Sequence, residues 1–238
     1  MGEMRLWNGS EFQLLRFLGR HRNELDREIL KNTNINPDLD YKMEWVDFWY
    51  KGKDSIFDLE LTGADFLYNE IKNPDELAKK WANYWPQTGT PQCWDAVINC
   101  TPIIPNSNKS DKWIIVEAKA HLGELESSSS AGTESKKIIE KAFDKTKERF
   151  GIKTENSWFN KYYQLANRLA FINFMLSNNI EVSLLNIFFI DGWPDDYGKN
   201  ISNKEIWEEK IKEEYDYLGI NENAKKHISE LFIKCKGH

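Results

Sequence analysis

Two segments of this chain place charged side chains where apolar strand residues belong. In CWDAVINC, residues 93–100, Asp95 stands among Trp94, Ala96, Val97 and Ile98; in WIIVEAKAH, residues 113–121, Glu117 and Lys119 follow Trp113, Ile114, Ile115 and Val116. Strand side chains alternate, so Trp113, Ile115, Glu117, Lys119 and His121 share one face, and Ile114, Val116, Ala118 and Ala120 share the other. At roughly 3.3 Å per residue, the Glu117 carboxylate and the Lys119 ammonium project side by side about 7 Å apart. Burying both is costly unless something compensates, and a divalent cation shared with Asp95 on the neighbouring strand would do so. Hard oxygen ligands suit Mg²⁺, which keeps several waters and needs only one or two protein carboxylates beside a substrate phosphate. A lysine next to such a cation can orient or deprotonate an attacking water, since nearby positive charge lowers its own pKa. The chemistry these residue types imply is hydrolysis of a phosphodiester.

This arrangement resembles the PD-(D/E)XK superfamily of restriction-endonuclease-like nucleases, with Asp95 as the first acid, Glu117 as the second, Ala118 as the variable position and Lys119 as the lysine. The E-x-K spacing alone carries nothing, because it recurs at Glu70 to Lys72, Glu134 to Lys136 and Glu208 to Lys210. Only the Glu117 instance follows an apolar strand and has an aspartate in a preceding strand at hairpin distance. The family's Pro-Asp dipeptide is here Trp94-Asp95. The resemblance spans roughly Gln92 to Ile190. It implies a Mg²⁺ (or Mn²⁺) ion held by Asp95, Glu117 and the backbone carbonyl of Ala118, and nucleic acid, DNA first, as the partner, with homodimerisation open. It also implies a Gln or Lys from the following helix, which falls on Gln164. Arg168 is then a candidate phosphate clamp, with Lys161 and His121 as further nucleic-acid contacts. Glu124 is a candidate neighbour of the site, and Glu24 or Glu28 a candidate additional acid.

The elements that must position these residues can be read from periodicity and punctuation. Ser10 to Gln13 has the form of a capping box, and Leu14, Leu18, Leu25 and Ile29 recur at helical spacing, predicting one long amphipathic helix. Glu44 to Phe66 offers short strands around Trp45 to Tyr50 and Ile56 to Leu61. Asn73-Pro74 starts a helix that Pro86 to Pro91 ends. Gln92 to Cys100 and Lys112 to Ala120 read as strands joined by a hairpin loop over Thr101 to Asp111. Leu122 to Thr133, with four consecutive serines from Ser127 to Ser130, reads as a mobile loop. Helices follow over Ser135 to Phe150 and Trp158 to Leu176. The second has a core stripe of Trp158, Tyr162, Leu165, Leu169, Ile172 and Leu176, and an opposite polar stripe of Lys161, Gln164 and Arg168 adjoined by Asn160 and Asn167. Glu181 to Ile190 is an apolar strand closed by Asp191, Gly192 and Pro194. Ser202 to Glu205 opens a helix ending near Gly219, and Asn221 opens a last helix. The order predicts an α/β protein: a mixed central sheet whose hairpin carries D…ExK, flanked by helices, restriction-endonuclease-like in plan. Residues 1–238 read as one domain, with a core over about 92–190 and mainly helical elaborations over 1–91 and 191–238.

The chain has 238 residues, net charge −6 and 40% hydrophobic residues, enough for a sizeable core. The charge is uneven: Asp38 to Glu76 sums to −7 and Leu77 to Ile180 to +4, so the overall sign does not exclude a polyanionic partner. No apolar run approaches the roughly 20 residues a bilayer requires, and the opening MGEMRLWNGS lacks an apolar signal core. Three scattered cysteines, Cys93, Cys100 and Cys235, make no disulfide framework or zinc cluster and fit a reducing cytoplasm. G-x-S-x-G, G-x-G-x-x-G and H-E-x-x-H are absent, and the segment from Gly192 to Asn200 fails as a phosphate loop. Two alternatives stay open. One is a catalytically silent nucleic-acid- or protein-binding module on the same fold. The other is a glycosidase with paired carboxylates, which leaves Lys119 without a role.

Overall fold

The segments Ile114 to Val116 and Ile187 to Ile190 are apolar at successive positions, as strands are when layers cover both their faces. The computed structural model describes residues 9–32, 41–46, 49–50, 58–59, 61–67, 73–89, 91–103, 110–193 and 200–235. In it those segments form the middle of a five-stranded mixed sheet of order β1-β6-β7-β8-β9. The members are β1 (Tyr41–Val46), β6 (Ala96–Pro102), β7 (Lys112–Lys119), β8 (Glu181–Ile190) and β9 (Ile228–Lys234). β1, β6 and β7 run antiparallel to one another in turn, whereas β7, β8 and β9 are parallel. Two short ribbons pair β2 (Trp49–Tyr50) with β3 (Asp58–Leu59), and β4 (Leu61–Thr62) with β5 (Cys93–Trp94). Each parallel step requires a crossover. The first is made by α4 (Thr133–Phe150) and α5 (Tyr163–Ser177), the second by α6 (Lys204–Leu218) and the short α7 (Glu222–Lys225).

Alternation along β7 divides the core into two layers. Ile114, Val116 and Ala118 pack with Ile98, Leu185 and Ile187 under α1 (Ser10–Arg20) and α2 (Arg22–Asn32), which contribute Leu14, Leu18, Leu25 and Ile29. Trp113 and Ile115 face the other way, with Leu184 and Phe188, under α3 (Pro74–Tyr84), α4, α5 and α6. Glu117 and Lys119 belong to this second face. α5 is apolar almost all round and is buried from Leu165 to Met175, as befits a helix sandwiched between a sheet and other helices.

Several sequence expectations change. The long first helix is two helices that meet at His21, whose carbonyl accepts from both Glu24 and Leu25; the break carries the chain from above β7 to β9. Ser10 makes no capping box. The N-cap is Gly9, and the Ser10 hydroxyl donates to Glu124 instead. The strand over 92–100 is interrupted at Asp95, where the chain passes from the β4 ribbon into the main sheet. Residues 158–162 are turns, with Tyr162 in left-handed backbone at φ 56°; Trp158 and Tyr162 are nonetheless core residues, so apolar spacing ran on through a loop. The segment expected to be mobile is pinned: Ser127 accepts at its carbonyl from the Tyr163 N–H and at Oγ from the Gln164 N–H, and the Ser129 N–H donates to Phe159. The orphan N–H groups at the start of α5 need those acceptors. The last helix is a single turn followed by β9, and β1 joins the central sheet, so each terminal portion supplies an edge strand besides its helices. Residues 104–109 of the hairpin loop, Ile56, and Pro194 with 195–199 lie outside the described residues.

Candidate active site

Asp95 is set by the break between β5 and β6. A bend at that point turns its half-buried carboxylate toward β7, where Oδ2 accepts the Ala118 N–H at 2.7 Å. Glu117, two positions before the end of β7, is 4% exposed, and Lys119 is 7% exposed. The Lys119 ammonium donates to Glu117 Oε1 at 2.5 Å and to Gln164 Oε1 at 2.9 Å. The Gln164 amide returns a bond to Glu117 Oε1 at 2.6 Å. Gln164 reaches this triangle from the first turn of α5, whose N-terminal N–H groups Ser127 holds.

One turn further along α5, Arg168 completes the cluster. Its Nε and Nη2 both donate to Glu117 Oε2, at 3.0 and 2.7 Å, Nη2 also reaches the Cys93 carbonyl at 2.7 Å, and Nη1 reaches Asn167 Oδ1 at 2.8 Å. The guanidinium lies 4.7 Å over the Trp94 ring. Burial by itself would push the Glu117 carboxyl up, but the charges and hydrogen bonds of Arg168 and Lys119 outweigh it, and the net shift is downward. For Asp95 the balance is reversed: desolvation first, then the Glu117 charge, raise it to about 7 against the pull of Lys119, the Ala118 N–H and Arg168.

Thus Asp95, Glu117, Ala118, Lys119, Gln164 and Arg168 come together, and the other candidates do not join them. Arg168 is 5% exposed and makes four hydrogen bonds within the protein, two of them to Glu117, so it clamps Glu117 instead of presenting an open phosphate contact. The expected polar stripe divides: Gln164 and Arg168 turn to Glu117, whereas Asn160 is exposed. Lys161 lies in the turn before α5 and pairs with Glu213 at 2.6 Å and Glu126 at 3.6 Å. His121 accepts the Gly123 N–H at Nδ1, while Glu124 accepts the Ala120 and His121 N–H groups and the Ser10 hydroxyl. Both residues therefore close the turn after β7. Glu24 and Glu28 ride on α2, which covers the opposite sheet face, and Glu24 pairs with His21 at 3.0 Å.

Two side chains that no sequence motif marks border the cluster, Asn186 on β8 and Glu214 on α6. Together with Glu117, Lys119, Gln164 and Arg168 they line a small cavity. Glu214 was legible in one respect: it falls among Trp207, Ile211, Tyr215 and Leu218, at a core position of α6.

The donor set fits a hard dication in kind. Asp95 Oδ1 takes no hydrogen bond from the described residues, and Glu117 Oε1 is shared by two donors on flexible arms, Lys119 and Gln164. Among the described residues no group of three or more His, Cys, Asp or Glu side chains gathers as a metal cluster. Compared with known proteins, the chain matches no family model, no curated protein and no solved structure. The fold and site together define a mixed α/β protein with a buried acid, lysine and arginine cluster at one end of its central sheet.

Proposed function

We propose that this protein is a Mg²⁺- or Mn²⁺-dependent nuclease that hydrolyses phosphodiester bonds of DNA, on a restriction-endonuclease-like core. The observation that carries the reading is the convergence of Asp95, Glu117, Lys119 and Gln164 from three separate elements on one end of the sheet. Asp95, Glu117 and, by resemblance, the Ala118 carbonyl would hold the cation. When bound, the cation supplies Lewis-acid charge to the phosphate and lowers the pKa of coordinated water. The chain's own residues do the rest. Lys119 would orient the attacking water, Gln164 fixes the direction of that ammonium, and Arg168 holds Glu117 in one rotamer through Oε2.

A second reading, a catalytically silent binding module, draws on one feature of the site. The four donor contacts of Glu117 use every lone-pair direction that a carboxylate offers. A cleavage assay on mixed DNA and RNA substrates with Mg²⁺, Mn²⁺ or EDTA separates the two. The nuclease reading expects cleavage that EDTA abolishes, that Asp95→Ala eliminates, and that Lys119→Ala slows while leaving a Mg²⁺-dependent rise in Tm. Wild-type protein with no response to Mg²⁺ or Mn²⁺ in cleavage or in melting would overturn it in favour of the silent module.

A further inference from the structure

Glu214 occupies a position where the pattern of α6 calls for an aliphatic side chain. It is 4% exposed and lies on the same buried face of α6 as Trp207, Ile211 and Leu218. Its carboxyl takes part in no hydrogen bond with the described residues, an expensive state for a buried polar group. What it faces is a cavity of about 20 Å³ lined also by Glu117, Lys119, Gln164, Arg168 and Asn186. Asn186 is 8% exposed, and its amide likewise makes no hydrogen bond with the described residues. It sits in register between Glu117 on β7 and Glu230 on β9, so the three side chains form one row on the sheet face that α5 and α6 cover.

The third side of the cavity is the Lys119 ammonium. An ammonium has three N–H donors; Lys119 directs two of them at Glu117 and Gln164, and the third has no acceptor among the described residues. Two unpartnered buried polar groups, one spare donor and a space the size of a single water describe a hydration site, since internal waters occupy such spaces and take two to four polar partners.

We propose that Glu214 and Asn186 hold one buried water against the Lys119 ammonium, which makes Glu214 a positioning residue of this centre. The water site stands by itself; the effect on turnover rests on the nuclease reading. The test compares crystal structures and kinetics of the full chain as wild type, Glu214→Leu, Glu214→Gln and Asn186→Val. Wild type should show one ordered water within hydrogen-bond distance of Lys119 Nζ. Glu214→Leu should expel it without lowering Tm, because an unpartnered acid gives way to an apolar side chain, and should lower kcat at least about tenfold at constant KM. Glu214→Gln should restore the water and most of the rate. A site without water in the wild type, or a water that survives Glu214→Leu, overturns the proposal. So does a kcat that Glu214→Leu leaves at the wild-type level in an enzyme that cleaves. If Glu214→Leu does not fold, Asn186→Val carries the same expectation of a lost water. If the wild type cleaves nothing, the nuclease reading falls and the crystallographic water alone decides the role of Glu214.

Discussion

Glu117 stands between two cations in a place without bulk water, and that fixes what its removal does. Glu117→Ala leaves Arg168 and Lys119 buried without their counter-charge, so it should destabilise the fold by about 3–5 kcal/mol, read from urea denaturation. Asp95→Asn should be neutral or stabilising, because burial first, and then the Glu117 charge, already oppose ionisation of the Asp95 carboxyl, and Asn can still accept the Ala118 N–H. Loss of stability in Glu117→Ala therefore says nothing about catalysis. The test of metal binding belongs to Asp95, where the fold is expected to survive.

The cluster depends on two elements ending in the right place. β7 delivers Glu117 and Lys119 to the face under α5, and α5 begins at Tyr163 because Ser127 accepts from both the Tyr163 and Gln164 N–H groups. Ser127→Ala removes the Oγ acceptor of Gln164 and should cost about 1 kcal/mol, the typical value of a lost N-terminal cap. Since Gln164 bridges Lys119 and Glu117, hydrogen exchange should rise at the first turn of α5 while the central strands keep their protection. A uniform rise across the sheet would show that Ser127 matters to the fold as a unit and not to the placement of Gln164.

Across the protein, the buried acids set a pH dependence with opposite signs. The carboxyls of Asp95 and Glu214 are raised, to about 7 and about 8, desolvation being the largest cause for each. In the window between their ordinary values near 4 and those raised values, the folded chain holds protons that the unfolded chain has released. Stability from these two groups is fully present below about pH 4 and is lost as pH rises toward 7 and 8. Glu117 works the other way: its lowered carboxyl contributes stability above its unfolded value, which is lost as pH falls through the folded one. The double variant Asp95→Asn, Glu214→Gln should accordingly flatten the decline in Tm between pH 5 and 8 while leaving the acid limb in place. An unchanged decline would mean that other groups govern this range.

The amino-acid sequence by itself determined the alternation on β7, hence that Glu117 and Lys119 share a face. It determined the apolar runs that had to be central strands, and the helical stripes of Leu14, Leu18, Leu25 and Ile29. These follow from local geometry, the two-residue period of a strand and the 3.6-residue period of a helix, which need no knowledge of what lies opposite. It also pointed to Gln164 through resemblance and to Asp95 through a charge in an apolar segment. Only the tertiary structure decided the rest. Arg168 read as a candidate phosphate clamp because periodicity cannot distinguish a polar face turned to a ligand from one turned to a buried carboxylate. Residues 158–162 imitated a helix because core-facing side chains recur at similar intervals in a tight loop. β9 escaped notice because ISELFIK is a short mixed segment whose state depends on the open edge of β8 beside it. Asn186 and Glu214 were out of reach for the same reason: they meet Glu117 through strand register and helix packing across spans of dozens of residues, and contacts of that kind exist only once the chain has folded.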